Sequence, residues 1–313
     1  MLAARAGFRI QMMYDTAFFD GQNARLDDEL PESFSPQVDV DVFGTSHRGH
    51  VRSNNEDHFL VIRGGRALET VHTNLPQIRP GDLFEETAYA LIVADGVGGE
   101  VAGEVASRHA IFTLLNLALR TPDWQVRWGS KEKNTVMWRM QDRFRRVNAS
   151  LLQEATAHSV LRGMCTTMTA AVTHGDNLIV THIGDSRAYL WRRGHLKRLT
   201  RDHTVAERLN EDLTSAEEDR LLLELRSVLL QALGSHRNEC RIDVGDFVLE
   251  DRDCLLLCTD GLTDMVGETE IQSVLAKEIA AKSACQTLVD LALANGGRDN
   301  VTAIVARYSI PRR

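Results

Sequence analysis

The 313-residue sequence lacks a long hydrophobic run and lacks an excess of positive charge. No segment approaches the ~18 consecutive apolar residues that would span a bilayer. The first twenty residues are interrupted by Arg5, Arg9 and Asp15 and do not resemble a secretory signal. The net charge of -8 leaves no general basic face for nucleic acid. We therefore expect a cytoplasmic protein that binds neither membranes nor nucleic acid.

Cysteine is also scarce, with five residues in the chain. An odd number does not suit a disulfide framework, and the spacing of Cys254 and Cys258 is not that of a zinc ribbon. Both lie within an apolar strand-like segment, which favours reduced, buried thiols. The apolar content of 43% is enough to bury a substantial core.

Composition and periodicity divide the chain. Residues 1–37 carry acids and prolines with little periodicity and are predicted to form an irregular extension. Alternation begins at Val38 and predicts one domain over residues 38–309. Within it, residues 204–233 are rich in leucine and acids at helical spacing, which predicts a helical insertion ending at Gly234. Because strands and helices come in blocks, we predict an α+β fold of antiparallel sheets with helices packed outside.

Four aspartates stand at the edges of apolar strand-like segments. Asp95, Asp185 and Asp260 follow such segments, and Asp299 precedes one. A single Asp-Gly is most often only a turn. Four such aspartates far apart in sequence suggest one cluster in space. Their carboxylates would repel one another unless cations were bound among them. Carboxylate oxygens without Cys or His suit hard divalent ions better than zinc.

Several short motifs of polar residues and glycines occur between residues 41 and 306. They are Arg52-x-x-x-Glu56-Asp57, Asp95-Gly96-x-Gly98-Gly99, Thr166-Thr167, Gly184-Asp185-Ser186-Arg187, Asp202-His203, Thr259-Asp260-Gly261 and Gly297-Arg298-Asp299-Asn300. In this order they resemble the bacterial branch of the metal-dependent type 2C Ser/Thr protein phosphatases. The resemblance implies a central sandwich of two antiparallel β-sheets flanked by pairs of antiparallel helices, with residues 204–233 as a flap beside the cleft.

The same resemblance implies a centre of two Mn²⁺ or Mg²⁺ ions with a possible third. Asp95 would bridge both ions, the Gly96 carbonyl would bind one of them, and Asp260 and Asp299 would bind the other. Glu56 and Asp57 would act through metal-bound waters. Asp185, together with Asp260, matches the position of the third metal.

The implied reaction is direct hydrolysis of phosphoserine and phosphothreonine. Two ions about 4 Å apart lower the pKa of a bridging water and set it in line with phosphorus. Arg52 suits the phosphate because its planar fork pairs with two oxygens, although it could also brace Glu56. Val97 stands where many eukaryotic relatives carry histidine, which leaves the proton donor to the leaving group open. Thr166 and Thr167 are interpreted as strand residues that support Asp95.

The expected partners are a phosphorylated protein substrate and its bacterial Ser/Thr kinase, and the expected enzyme is a monomer. A catalytically poor relative that serves as a regulatory or phosphoprotein-binding module is the alternative, although such relatives usually lack metal-binding acids. A two-metal nuclease fits the acidic chain badly. A dinucleotide-binding loop is also disfavoured, because Val101 occupies the position that needs a third glycine.

Overall fold

The structure is a computed structural model that describes residues 38–75, 81, 83–120, 130–209, 225–235 and 240–311. The predicted extension, residues 1–37, lies outside the described part. The described residues between Glu69 and Leu83 belong to a separate small unit, in which the Gly81 N–H donates to the Thr70 carbonyl (2.8 Å). None of the described helices has both the length and the apolar character that a membrane span requires.

Eleven strands and six helices are assigned in the described part of the chain. The strands are β1 (Asp39–His47), β2 (Asp57–Glu69), β3 (Leu83–Val97), β4 (Cys165–Thr166), β5 (Met168–His174), β6 (Asn177–Ile183), β7 (Arg187–Arg192), β8 (His195–Arg198), β9 (Asp243–Val248), β10 (Cys254–Cys258) and β11 (Val301–Ser309). The helices are α1 (Glu100–Arg120), α2 (Ser130–Ala157), α3 (Val205–Leu209), α4 (Asp260–Thr263), α5 (Glu268–Leu275) and α6 (Ala281–Ala294).

The strands form two sheets. One has the order β1-β11-β10-β7-β8, and the other has the order β2-β3-β5-β6-β9 with β4 paired to β3. The strand pairs with a defined register are antiparallel. The predicted α+β architecture of two antiparallel sheets with helices is therefore confirmed.

Alternate residues of the central strands serve two different cores. In β10, Leu255 and Leu257 pack between the sheets, whereas Leu256 faces the core formed with α5 and α6. In β3, Leu91 packs between the sheets and Ile92 faces the core formed with α1 and α2. Successive side chains of a strand point to opposite faces, so a strand covered on both faces is apolar throughout. This explains the unbroken apolar segments that precede the aspartates.

The predicted helical insertion, residues 204–233, is described only in part: its beginning is helical, and its last residues are not. Helix α3 covers only Val205–Leu209, residues 210–224 lie outside the described part, and residues 228–233 are not helical. Pairing with neighbouring strand ends outweighs the helical propensity of the leucines.

That pairing is made by backbone hydrogen bonds. The Leu230 N–H donates to the His203 carbonyl (2.7 Å), and Leu233 and Thr166 exchange two bonds of 2.9 Å. Leu233 is fully buried against α1 and α2. Residues 230–233 are thereby hydrogen-bonded to the strand ends that carry the candidate site.

Two strand boundaries lie beyond the segments that the sequence pattern favours. The pattern of residues 64–86 is typical of a loop or loose hairpin, whereas β2 continues to Glu69 and β3 begins at Leu83. Residues 240–244 and 247–249 each resemble a short strand, whereas the structure has one strand, β9. Glycine and charge weaken the alternating pattern in these segments.

Candidate active site

Asp95 is presented by the last residues of β3. Its carbonyl accepts hydrogen bonds from the Thr166 hydroxyl (2.7 Å) and the Thr167 N–H (2.9 Å), and its own N–H donates to Thr167 Oγ1 (3.1 Å). The interpretation of both threonines as supports for Asp95 is confirmed. The backbone of Asp95 is thus held on both sides at the point where the strand ends.

Glu56 and the Gly96 carbonyl converge at Gly103, in the first turn of α1. A Cβ added to Gly103 would lie 2.2 Å from Glu56 Oε2 and 2.8 Å from the Gly96 oxygen. The Gly96 N–H donates to the Glu56 carbonyl (3.2 Å), and the Ser107 hydroxyl donates to the same carbonyl (2.5 Å). Because Gly103 has no side chain, the Glu56 carboxylate and the Gly96 carbonyl oxygen can both lie against it.

Asp260 and Asp299 are brought together by a second close approach. A Cβ on Gly261 would lie only 1.9 Å from the Asn300 carbonyl and 3.4 Å from Cβ of Asp299. The Asn300 N–H donates to Asp299 Oδ1 (2.8 Å). The start of α4 therefore packs directly on the turn that precedes β11.

Asp57 lies behind these residues and is 4% exposed. Its Oδ2 accepts hydrogen bonds from the hydroxyls of Thr259 (2.8 Å) and Thr302 (2.7 Å). Its Oδ1 is buried and has no hydrogen-bond partner among the described residues. One oxygen of Asp57 is therefore fixed by the fold, and the other remains able to bind a cation or to accept a hydrogen bond.

Electrostatics show how closely the acids approach one another. Burial, reinforced by repulsion from other carboxylates, raises the pKa of Asp57 and of Asp260 to about 7. Burial raises the pKa of Asp95 well above its usual range, with repulsion from Asp57 and Asp260 adding to the effect. The pKa of Asp185 is raised in the same way, by burial and then by Asp260. The carboxylates of Asp95 and Asp260 repel each other at close range, and such a pair is stable only when it holds a proton or a cation.

The residues present fit hard divalent ions. In the part of the chain that the structure describes, the buried oxygens Asp57 Oδ1 and Asp260 Oδ1 have no hydrogen-bond partner. This is costly unless a cation or a hydrogen-bond donor satisfies them. The converging donors are carboxylate and carbonyl oxygens, as Mn²⁺ and Mg²⁺ prefer. In their present orientations, no three Asp, Glu, His or Cys side chains among the described residues enclose an ion. The acids converge without closing into a cage.

Arg52 stands at the rim of this cluster. Its Nη2 lies 2.7 Å from Asp299 Oδ2, and the two side chains are 55% and 36% exposed. This hydrogen bond raises the pKa of Arg52, with further contributions from Glu56 and Asp95. The Arg52 guanidinium is therefore next to the acidic cluster while remaining open to solvent.

The turn that carries Asp185 is held by His203. The His203 N–H donates to the Gly184 carbonyl (2.7 Å), and the Gly184 N–H donates to His203 Nδ1 (3.3 Å). Because Nδ1 accepts, Nε2 carries the proton and donates to Asp243 Oδ2 (3.1 Å). Both ring nitrogens are committed to structure, so His203 is not available as the proton donor to the leaving group.

Some of these positions were quoted in the sequence motifs without a role, and others were not singled out at all. Asn300 ends the last motif and Thr302 lies two residues beyond it, and nothing in the sequence indicates that they contact Glu56 and Asp57. Ser107 and Asp243 carry no sequence signal that separates them from ordinary helix and strand residues. The contacts that define their roles span 40 to 245 positions along the chain.

Comparison with known proteins decides the family. Residues 82–294 match a family model described as Protein phosphatase 2C. The chain belongs to the protein phosphatase 2C family. It is similar to the Serine/threonine phosphatase stp of Listeria welshimeri, at 30% identity over 275 residues, which are 85% of this chain and 95% of that protein. It is also similar to the Serine/threonine protein phosphatase PstP of Mycobacterium tuberculosis, at 34% identity over 261 residues, which are 83% of this chain and 43% of that protein.

Solved structures agree with the family. The catalytic domain of PstP in complex with two manganese ions matches with a TM-score of 0.66 and 30% identity, covering 87% of this chain and 100% of that one. The resemblance, the fold and the class of enzyme, a metal-dependent protein phosphatase of the 2C family, are thereby confirmed. The roles of individual residues in this type 2C phosphatase stay predictions.

Proposed function

We propose that this type 2C phosphatase hydrolyses phosphoserine and phosphothreonine in proteins modified by a bacterial Ser/Thr kinase, acting as a monomer. The observation that carries the proposal is the convergence of Asp57, Asp95, Asp260 and Asp299 beside the exposed Arg52. Residues from four separate parts of the sequence thus lie together in one acidic cluster, with an arginine at its rim. Such a cluster suits a phosphate ester held between divalent ions and an arginine.

The residues that would hold two Mn²⁺ or Mg²⁺ ions are Asp95, the Gly96 carbonyl, Asp260 and Asp299. Glu56 and Asp57 would contribute through water, and Asp185 with Asp260 would hold a third ion. When bound, the ions would supply Lewis-acid activation of water and neutralise charge on the phosphate.

The chain's own residues would position the reactants. Thr166 and Thr167 hold the Asp95 backbone, so its carboxylate enters the cleft at a fixed place. Arg52 presents N–H groups to solvent beside Asp299, where they would bind and orient the non-bridging phosphate oxygens. Val97 is 39% exposed next to Asp95 and has no proton to give. The leaving group would therefore take its proton from water.

Hydrolysis of a phosphothreonine peptide in the presence of Mn²⁺ tests the proposed function. Activity should require the metal, should vanish in EDTA, and should fall roughly a thousandfold in Asp95→Asn, which corresponds to ~4 kcal/mol of transition-state stabilisation. Asp290→Asn, an exposed α6 acid bonded only to Gln286 in the same helix, is the matched control and should keep full activity. Activity that survives chelation would refute the proposal, and an inactive but metal-loaded wild type would favour the regulatory module.

Arg52→Ala should reduce kcat/KM for the same peptide by roughly 10- to 100-fold, because a charged hydrogen bond is worth ~1.5–3 kcal/mol. The Tm should change little, since the Arg52–Asp299 pair is exposed at the surface. Arg48→Ala is the control, because Arg48 is exposed nearby and donates to the Ser53 carbonyl (3.2 Å). Equal losses in the two variants would show that Arg52 has no specific phosphate contact.

A further inference from the structure

Three exposed valines lie at or beside the turn that joins β3 to α1. Val97, Val101 and Val160 are 39%, 60% and 69% exposed. A single exposed valine is ordinary on a protein surface. Three valines around one turn form an apolar patch, which we call the valine patch. Neither metal binding nor the attack of water on phosphorus requires it.

Val97 faces the same side of the chain as Asp95. Pairing of Val97 with Cys165 of β4 continues the extended backbone of β3 through this residue. Side chains two residues apart on a strand point to the same face and stand roughly 7 Å apart. Val97 therefore lies directly beside the carboxylate that would bridge the two metal ions.

Val101 lies on the face of α1 that borders the loop carrying Arg52. It belongs to the first turn of the helix, and Glu104, three residues later, shares its face. Glu104 Oε2 accepts a hydrogen bond from Asn54 Nδ2 (2.9 Å), and Asn54 follows Arg52 by two residues. The exposed side chain of Val101 is therefore next to the loop that carries the proposed phosphate ligand.

Val160 is held beside the same turn by the segment that follows α2. It belongs to a short 3-10 helix, Ser159–Leu161, that packs against α1. Leu161 packs into the core formed with α1 and α2, whereas Val160 points to solvent. A Cβ added to Gly98 would lie 3.2 Å from the Gly163 carbonyl oxygen. The segment that carries Val160 therefore lies directly against the turn between β3 and α1.

We propose that the valine patch binds an aliphatic side chain of the substrate protein that lies next to the phosphorylated residue. The inference rests on the proposed function, which puts the phosphoryl group at Asp95. An extended substrate advances ~3.3 Å per residue, so residues one or two positions from the phosphoresidue lie within roughly 7 Å of it. This is the separation expected between Asp95 and Val97.

The chemistry of the valine patch determines what it selects. Valine side chains have no charge and no hydrogen-bonding group, so burial of apolar surface is the interaction that they offer. An aliphatic side chain of the substrate gains from this burial, whereas a polar one would lose contact with water there. Arg52 and the metal ions would bind the phosphate whatever its neighbours. The valine patch is therefore assigned to substrate selection and not to the chemical step.

Two phosphothreonine peptides test this assignment with the full chain in Mn²⁺. One has valine at the two positions on each side of the phosphothreonine, and the other has threonine at the same four positions. Valine and threonine share β-branching and extended propensity and differ in polarity. Wild type should favour the valine peptide roughly tenfold in kcat/KM, which corresponds to ~1.4 kcal/mol. The difference should lie in KM, because the flanking contact is the same before and during the chemical step.

Threonine substitutions in the protein should remove this preference. Val97→Thr, Val101→Thr and Val160→Thr should each lower the ratio of the two kcat/KM values, and the triple variant should bring it close to one. Because the ratio compares two peptides on one enzyme, a general loss of activity cancels, and hydrolysis of the threonine peptide shows that a variant is folded. Val248→Thr is the matched control and should keep the wild-type ratio. Val248 is 53% exposed and pairs with the first residue of β6, whereas the acidic cluster lies beyond the last residue of that strand.

The outcomes separate this inference from the proposed function. A wild-type ratio near one, or a tenfold ratio that persists in the triple variant, would overturn the role of the valine patch and leave the phosphatase function standing. An equal fall of the ratio in Val248→Thr would overturn it as well. Hydrolysis of neither peptide by wild type would overturn the proposed function together with the inference that rests on it.

Discussion

Asp260→Asn is expected to lower phosphatase activity by roughly a thousandfold or more and, in the presence of a chelator, to raise the melting temperature by a few degrees. The loss follows because Asp260 would bind two of the proposed ions, and each factor of ten corresponds to ~1.36 kcal/mol. The gain follows because Asp260 is buried among other carboxylates that raise its pKa to about 7. Asparagine keeps the size and a donor for Asp95 but carries no charge.

The stability of the chelated protein, measured as its free energy of unfolding, is expected to depend on pH. An unfolded carboxyl ionises near pH 3.8, whereas folding raises the pKa of Asp57 and Asp260 to about 7. Between these values the folded chain binds more protons than the unfolded chain, so the free energy of unfolding of the chelated protein falls as pH rises. The stabilising effect of Asp260→Asn should therefore be small near pH 4 and largest above pH 7, at most about 4 kcal/mol.

Phosphothreonine peptide hydrolysis measures the loss of activity. Scanning calorimetry in EDTA, and then with Mn²⁺, measures the change in stability. Wild type should gain more stability from Mn²⁺ than Asp260→Asn, because binding to the folded state stabilises it in proportion to affinity. Asp290→Asn should follow wild type in each condition. Should Asp260→Asn melt below wild type in EDTA at every pH, the carboxylates do not repel one another as their burial implies.

The sequence was sufficient to place the acids at strand ends, because a strand covered on both faces is apolar until it stops. Asp95 in the last residues of β3, Asp260 after β10 and Asp299 before β11 are identified in this way. The family resemblance then supplied a common centre for them. The coordinates add the electrostatic coupling among these acids.

What sequence could not supply was the long-range support. Asp57 is held by Thr259 and Thr302, which are 202 and 245 positions away. The leucines of residues 204–233 predict a helix that ends at Gly234, yet Leu233 is extended and pairs with Thr166. Local propensity contains no information about hydrogen bonds to distant strand ends. The support of Asp57 and the extended pairing of Leu233 therefore could not be predicted from it.

Asn300→Ala is expected to destabilise the protein by about 2–4 kcal/mol and to reduce activity more than tenfold even where the protein is folded. The side chain is 5% exposed and joins two loops of the site: its Oδ1 accepts from the Glu56 N–H (2.7 Å), and its Nδ2 donates to the carbonyls of Arg48 (2.9 Å) and Asn54 (2.8 Å). Alanine would remove all three hydrogen bonds, at ~0.5–1.5 kcal/mol for each one. The activity would fall because Glu56 and Arg52 sit on the loop that Asn300 holds.

Urea unfolding measures the first effect, and phosphothreonine peptide hydrolysis at a temperature where the variant is folded measures the second. Asn295→Ala is the matched control, because Asn295 is exposed and its Nδ2 donates to one carbonyl, that of Met265 (2.8 Å). It should cost at most about 1 kcal/mol and leave activity intact. The two readouts separate the possible roles of Asn300. A loss of stability with normal kcat/KM would make Asn300 a purely structural residue, whereas a fall in kcat/KM in the folded variant requires that it also positions Glu56 or Arg52.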